Sequence, residues 1–326
     1  MRNLLLAALL VLPARPARAA YGSAEAGTSA AEFLKLASDA RAAGMGRAVR
    51  AATDDASSAW WNPAGLASLR FRHASLTHAA AFQSNYVDML AFGMPVSGPG
   101  AGGRRERELQ PDQIGSIAVS VIYHNSGRFA EIDNTGTPTG GSVSPRDLAA
   151  GVSWGAAMTR SVDAGVTVKY ISTKISRSAG TGALDAGLRW RGFLPGDVPW
   201  SVAGTVRNAG GKIKFNTASD PLPLELAAAT AIRPLKGMIV SFDLVAPRDR
   251  SIYPSLGLEW RSVPQAGLSG ALRMGYDGRL RSGDVGSMAG PTFGAGLVLN
   301  RVTFDYAWAP SGFLGDSHLM TVSFRF

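Results

Sequence analysis

The amino-acid sequence predicts an all-β fold: a transmembrane outer-membrane β-barrel of about 14 antiparallel strands, with a short N-terminal helical plug in the lumen. Three observations predict it. From about Leu69 onward, segments of roughly ten residues alternate bulky apolar side chains with small or polar ones, which is typical of strands whose two faces meet different surroundings. The connections between these segments alternate in length, and the chain begins with an export signal.

Residues 1–19 have the composition of a cleaved signal peptide. A basic start is followed by an apolar run from Leu4 to Leu12, and the tripeptide ARA that ends at Ala19 is a small-x-small cleavage signature. The run is too short to cross a bilayer as a helix, which needs about 20 apolar residues. We therefore predict export, and localisation to the outer membrane of a Gram-negative-type bacterium.

The composition excludes several classes of protein and site. The chain has no cysteine, so it has no disulfide framework, thiolate metal site or lipid-modified cysteine. It has 39 glycines and is 46% apolar, yet no later segment has the apolar length of a membrane-spanning helix. The net charge of +9 comes mostly from dispersed arginines, and the four histidines are scattered. We expect no nucleic-acid partner, no metal site and no cofactor.

Fourteen segments alternate, an even number as a closed bacterial barrel requires. We predict strands at 69–80, 86–96, 115–124, 147–159, 162–174, 181–191, 199–208, 222–233, 237–247, 252–262, 267–277, 288–299, 301–309 and 317–326. A soluble β-sandwich also alternates, but its outer face would be rich in Lys and Glu. Here the second face combines small residues with isolated charges, which suits a lumen. The predicted lumen charges are Lys169, Asp185, Arg189, Arg207, Glu225, Asp243, Glu259, Arg273 and Asp305.

The connections are an independent test, because outer-membrane barrels have short periplasmic turns and longer external loops. Short turns at 160–161, 234–236, 263–266 and Asn300 alternate with longer loops at 125–146, 209–221, 278–287 and 310–316. The 97–113 connection is long where a short turn is expected, which indicates either a simple insertion or a periplasmic docking site. The last strand carries Phe324 and Phe326, and this ending resembles the signal that the barrel-assembly machinery of outer membranes recognises.

Residues 20–67 precede the barrel, predicted at 68–326, and break the alternation. The apolar residues Phe33, Leu34 and Leu36 suggest a short helix. Because side chains alone leave space in a lumen of this size, we predict that the segment folds inward as a plug and buries these apolar positions. The alternative is a periplasmic helix outside the barrel.

The stretch ATDDASSAWWNPAGLASL, from Ala52 to Leu69, combines residue types that also occur in active sites. Its acids can cap a helix or a turn, its tryptophans can pack at the passage from plug to wall, and Asn-Pro can start a short helical turn that the following glycine helps to end. No nucleophile, base and oxyanion donor can be assembled from it. The predicted plug-to-barrel motif comprises Asp54, Asp55, Trp60, Trp61, Asn62, Pro63 and Gly65.

Three stretches resemble one protein family. The N-terminal FLKLASDARAAGMGRAVRAATDDASSAWWNPAGLASL, residues 206–234 and residues 302–326 look like parts of the PorV/PorQ family of outer-membrane proteins, itself similar to long-chain fatty-acid transporters of the FadL type. The resemblance implies a fourteen-strand barrel with an N-terminal plug. It also implies two different functions, because PorV-like proteins serve the type IX secretion system whereas FadL-like proteins pass hydrophobic molecules inward.

Two functions therefore remain open. The favoured one is assistance in protein secretion or surface assembly, with secreted proteins or secretion-system components as partners. The alternative is uptake of hydrophobic small molecules through a local pocket around Phe33 and Leu36, which the lumen charges do not exclude. An enzyme is not expected, since only His318 lies near an acid, Asp316, along the chain. In either case the further partners are outer-membrane lipid and, during biogenesis, the barrel-assembly machinery.

Overall fold

The computed structural model describes residues 28–80, 85–97, 113–133, 135–175, 177–215, 218–279, 289–310 and 315–326. In this part of the chain, fourteen antiparallel strands form a closed barrel, and two further hairpins lie outside it. The predicted strand number and antiparallel barrel are thus confirmed. The predicted signal peptide lies outside the described residues, as do residues 98–112 of the unusually long 97–113 connection.

In chain order the strands are His73–Ala80 (β1), Tyr86–Ser97 (β2), Gln113–Asn125 (β3), Phe129–Ile132 (β4), Pro138–Val143 (β5), Arg146–Ala157 (β6), Val162–Lys174 (β7), Ser178–Leu194 (β8), Val198–Gly210 (β9), Lys212–Phe215 (β10), Ala218–Pro221 (β11), Glu225–Ile232 (β12), Met238–Pro247 (β13), Tyr253–Arg261 (β14), Leu268–Asp277 (β15), Pro291–Leu299 (β16), Val302–Pro310 (β17) and Asp316–Arg325 (β18). The helical elements are a 3-10 helix Glu32–Lys35, α1 Ala40–Gly44, α2 Ser58–Trp61 and a 3-10 helix Pro63–Ser68. None of the described helices is long and apolar enough to cross a membrane.

Strand alternation places charge inside and apolar surface outside. Along β7 the inward Thr167 and Lys169 are buried, whereas the outward Val166, Val168 and Tyr170 are about half-exposed. The barrel closes where β18 pairs with β1, with Arg325 opposite His73. An outer wall of exposed Leu, Val and aromatic side chains is the surface that a lipid-contacting barrel presents.

Two of the predicted long loops contain a hairpin of their own. β4 and β5 pair within the 125–146 loop, and β10 and β11 pair within the 209–221 loop. The first hairpin turns at Gly136, which has a φ of +83°, and its strands are mostly exposed. Because the hairpin lacks a clear alternation of buried and exposed residues, the sequence pattern did not distinguish it from a loop.

The barrel has two differently built openings. The terminal mouth is the rim where β1 begins and β18 ends, and there the backbones of Arg72 and Phe326 exchange hydrogen bonds of 3.0 and 3.1 Å. The loop mouth is the opposite rim, which carries both hairpins. Because successive barrel strands run in opposite directions, the short connections, such as those after β6, β8 and β16, lie at the terminal mouth.

The N-terminal segment that precedes β1 passes through the lumen. Near its start, the Ala30 N–H donates to the carbonyl oxygen of Pro221 at the loop mouth. Halfway along, the Ala40 N–H donates to Thr321 Oγ1 in the middle of β18 at 2.9 Å. The segment ends in the 3-10 helix Pro63–Ser68, against the terminal-mouth ends of β6 and β7. We call residues 28–68 the plug.

Candidate functional site

The plug is tied to the loop mouth through its first helical turn. Phe33 is buried and stacks on His124 of β3, with ring centres 6.2 Å apart. Lys35 forms an ion pair with Asp249, which lies in the connection after β13. Burial raises the pKa of the Asp249 carboxyl, but hydrogen bonding from Lys35, together with the Lys35 charge and neighbouring hydrogen bonds, holds that pKa below its ordinary value. Leu34 is fully buried and Leu36 partly so, which makes this turn an apolar anchor.

Two plug arginines reach carboxylates of the barrel wall. Arg50 forms ion pairs with Glu225 of β12 and with Asp243 of β13, the second at 2.9 Å. Arg41 pairs with Glu259 of β14 at 3.0 Å through Nε and donates a further hydrogen bond through Nη2. All these groups are almost completely buried. Removing either arginine would therefore leave a carboxylate inside the lumen with fewer cations to balance it.

The adjacent tryptophans lie at the centre of the lumen, under a set of cations. Lys169 Nζ is 5.2 Å from the centre of the Trp60 ring, and the Arg207 guanidinium carbon is 5.2 Å from Trp60 and 5.5 Å from Trp61. Two plug arginines also lie over the Trp61 ring, Arg50 at 5.6 Å and Arg47 at 5.2 Å from its centre. Cations over aromatic faces are stabilised by the ring quadrupole, more strongly where water is excluded.

The indole nitrogens of the two tryptophans differ in their contacts. Trp61 Nε1 donates to Asp39 Oδ2 at 2.7 Å, and the other oxygen of Asp39 accepts from the Ala42 N–H as the N-cap of α1. Trp60 Nε1 has no hydrogen-bond partner among the described residues. Trp61 therefore links α2 to the start of α1, whereas Trp60 contributes its ring face alone.

The Asn-Pro turn docks the plug on the wall. Asn62 is fully buried; its Nδ2 donates to the Arg50 carbonyl oxygen at 2.8 Å, and its Oδ1 accepts from the Ala64 N–H at 3.1 Å. Pro63 occupies the first turn of the 3-10 helix that follows. The helix continues past Gly65 to Ser68, so Gly65 does not end it as the sequence pattern suggested. A side chain there would collide with Ser58, which explains the glycine by close packing.

The two adjacent acids of the plug-to-barrel motif, Asp54 and Asp55, stabilise a turn and form ion pairs. Asp55 Oδ1 accepts hydrogen bonds from the Ser57 N–H at 2.9 Å and from Ser57 Oγ at 2.6 Å, just before α2. Asp54 lies 2.8 Å from Arg41, and Asp55 lies 3.5 Å from the same guanidinium nitrogen. Arg41 thus connects both motif acids to the wall through Glu259.

Every predicted lumen charge lies on the inward face and contacts an opposite charge within the described chain. Within the wall, the pairs are Lys169 with Asp185, Arg207 with Glu225, and Arg273 with both Glu259 and Asp305, at 2.7 to 3.1 Å. Arg189 pairs with Asp163 at 2.9 Å, a partner that the sequence prediction did not include. The sequence prediction also omitted Asp39 and the plug arginines Arg41, Arg47 and Arg50. The signal that could have found the arginines was their basic charge in a segment that otherwise consists mostly of small and apolar residues.

A cavity of about 480 Å³ lies inside the terminal mouth, and we call it the terminal vestibule. Among the described residues it is lined by eight arginines and three aspartates. Arg41 and Asp54 line it from the plug, and Arg189 and Arg273 line it from the wall. The vestibule is polar and lies away from Phe33 and Leu36, which are at the loop mouth.

The barrel has the fold of solved toluene transporters. The Pseudomonas putida toluene transporter TodX aligns with a TM-score of 0.59 and 10% identity, over 89% of this chain and 98% of TodX. The Ralstonia pickettii toluene transporter TbuX aligns with a TM-score of 0.55 and 13% identity, over 88% and 98%. The monoaromatic hydrocarbon channel CymD aligns with a TM-score of 0.55 and 11% identity, over 89% and 97%. No family model and no curated protein matches the sequence.

The predicted resemblance named two kinds of protein, PorV/PorQ and FadL-type, and the shared fold bears on the second. The likeness to FadL-type barrels is supported, whereas the PorV/PorQ likeness is not confirmed by any of these comparisons. All three solved proteins are described as transporters or channels.

The histidine prediction needs one correction. Two histidines that are not near an acid along the chain contact acids in the structure: His78 Nδ1 lies 2.7 Å from Asp88, and His124 Nδ1 lies 2.9 Å from Asp147. These residues are far apart in sequence, but the strand register places them directly opposite each other. His318 itself contacts the Tyr306 hydroxyl at 2.8 Å. No cluster of three or more potential metal ligands occurs in the described ranges.

Gly187→Ala is expected to loosen the plug. A Cβ at Gly187, on the inward face of β8, would collide with Asn62 Oδ1, and overpacking of this kind costs about 1–3 kcal/mol. The matched control is Gly204→Ala on β9, because a Cβ there would meet no atom within 4 Å. The readout is the temperature at which the compact band of the folded barrel disappears from detergent gels. We expect a lower temperature for the first variant only; equal temperatures would contradict this docking role.

Proposed function

We propose that this protein is an outer-membrane channel for the uptake of hydrophobic small molecules, with the plug as its gate. The observation that carries the proposal is the shared fold. The likeness to TodX extends over 89% of this chain and 98% of that transporter. The exposed apolar wall fits outer-membrane lipid as the surrounding partner.

The plug follows as the gate from the packing of the lumen. Trp60 and Trp61 are buried inside the barrel, and the ion pairs of Arg41 and Arg50 hold the plug to the wall. A hydrophobic molecule entering at the loop mouth would therefore meet a buried layer of charges. Passage requires the plug to shift, and a shift must exchange or break these ion pairs.

The expected role in protein secretion is not retained. It depended on the PorV/PorQ resemblance, and the comparisons favour the uptake alternative instead. TodX, TbuX and CymD are all described by the hydrocarbons they carry. The barrel-assembly machinery remains the proposed partner during biogenesis, because β18 closes the barrel against β1 and Phe326, directly after β18, extends this pairing to Arg72.

Toluene uptake by whole cells tests this function. A Gram-negative host that lacks its own hydrocarbon channels would express the protein, and uptake of labelled toluene would be measured over seconds. We expect the initial rate to rise severalfold above that of the same host expressing an unrelated outer-membrane barrel at equal abundance. A rate equal to that control, with the barrel shown to be folded in the membrane, would reject the proposed function.

A further inference from the structure

Three arginines of the terminal vestibule lack a carboxylate partner in the described part of the chain. They are Arg70, just before β1; Arg233, just after β12; and Arg325, at the end of β18. Arg70 follows the last helix of the plug and precedes β1, and the ends of β12 and β18 that carry the other two arginines lie at the same rim. All three arginines therefore lie around the terminal mouth. Arg70 and Arg325 lie at the seam where β1 pairs with β18, and Arg233 lies across the barrel at the end of β12.

The other five vestibule arginines are already neutralised. Arg41 contacts Asp54, Asp55 and Glu259, and Arg261 and Arg273 share Glu259. The remaining two, Arg189 and Arg191, share Asp163 of β7. Asp305, the last acid that lines the cavity, is 2.7 Å from Arg273. In the described part of the chain, five arginines thus share five carboxylates and the other three form no direct ion pair, so the lining has an excess of positive charge.

The uncompensated charge lies in a partly enclosed space. Arg233 is half-buried, and burial lowers the pKa of its guanidinium by more than the charge of Asp54, with which it forms no direct ion pair, raises it. A partly enclosed cleft with a net charge of one sign concentrates counter-ions, and here eight arginines outnumber three aspartates. The volume of about 480 Å³ lies within the range of about 300–1,000 Å³ that is common for small-molecule sites.

We propose that the terminal vestibule binds a small phosphate-bearing anion that enters through the terminal mouth. Phosphate is favoured because it carries up to two charges and offers several oxygens, which suit guanidinium groups that converge from different strands. A lipid headgroup is disfavoured as its source, because the closed wall of fourteen strands separates the vestibule from the bilayer. The site does not depend on the proposed uptake function, since it uses none of the apolar residues of the plug.

Titration calorimetry tests this site with the full-length protein in a maltoside detergent, which contains no phosphate. Inorganic phosphate would be the probe, and chloride at equal ionic strength the comparison. We expect phosphate to bind with an affinity that falls as salt is added, and chloride to give no saturable heat. Arg233→Gln and Arg70→Gln should each weaken phosphate binding about tenfold, as expected for the loss of one charge-assisted hydrogen bond.

Two controls separate binding from folding. Arg160→Gln removes an exposed arginine from the turn between β6 and β7, at the same mouth but outside the vestibule, and should leave the affinity unchanged. Arg233→Lys keeps the charge and should retain most of the binding. Failure of phosphate to bind wild-type protein, or equal weakening by Arg160→Gln, would overturn the site. Saturable binding of a polyaspartate peptide without phosphate binding would also overturn it, in favour of an acidic polypeptide.

Discussion

Arg50→Met is expected to release the plug from the wall and to lower the free energy of unfolding by about 3–5 kcal/mol, the cost of leaving a buried charge unpaired. Methionine fills similar volume, so the effect comes from the lost charge. The two carboxylates that Arg50 contacts are affected differently. Glu225 keeps Arg207 at 3.1 Å, whereas Asp243 forms no other ion pair in the described chain.

The double variant Arg50→Met with Asp243→Asn sharpens this prediction. Replacing both members of a buried ion pair is often nearly neutral, so the second substitution should restore a large part of the lost stability. Arg160→Met, at an exposed turn, is the matched control for loss of an arginine. Stability would be measured by the thermal loss of the compact gel band and by tryptophan fluorescence, since Trp60 and Trp61 lie beside Arg50. An unchanged transition for Arg50→Met would show that this pair does not hold the plug.

A disulfide between the plug and the wall is expected to abolish toluene uptake. Ala40 in the plug and Thr321 in β18 are adjacent, because the Ala40 N–H donates to Thr321 Oγ1 at 2.9 Å. The chain has no cysteine, so Ala40→Cys with Thr321→Cys would create the sole disulfide. Oxidation should fix the plug to β18 and stop uptake, and a reductant should restore it. This prediction rests on the proposed uptake function.

The matched control is a disulfide within the wall. Thr77 of β1 lies directly opposite Thr321, with their hydroxyl oxygens 2.8 Å apart, so Thr77→Cys with Thr321→Cys would join two strands without holding the plug. Its uptake should be the same in the oxidised and reduced states. If the plug disulfide forms completely and uptake continues, the cargo passes without plug movement. Loss of uptake in both oxidised variants would attribute the effect to the wall instead.

The barrel could be predicted from the sequence because strand alternation is a local property. Leu184, Ala186 and Leu188 alternate with Asp185, Gly187 and Arg189 along β8, and this pattern alone places the charges inside. The plug contacts could not be predicted in the same way. Arg50 is 175 residues from Glu225 in sequence, and their contact depends on the route of the plug through the lumen.

The small residues on the inward face also show that local sequence patterns do not predict contacts between distant parts of the chain. The sequence pattern assigned Gly187 to a face of small residues, but its reason for being glycine is the neighbouring Asn62, 125 positions earlier in the chain. Asp39 was likewise overlooked, because its role depends on the Trp61 indole that donates to it. Local patterns predicted which residues face the lumen, whereas the partners of those residues required the three-dimensional structure.

The path of the plug has a consequence for assembly. Ala30 lies at the loop mouth and Phe326 at the terminal mouth, so the polypeptide is threaded through a ring that its own later residues close. The ring closes only when β18, the last described strand in chain order, pairs with β1. The plug must therefore enter the lumen before the ring of strands closes, or pass into the lumen afterwards through one of the two mouths. In either case, the two ends of the described chain finish on opposite sides of the membrane.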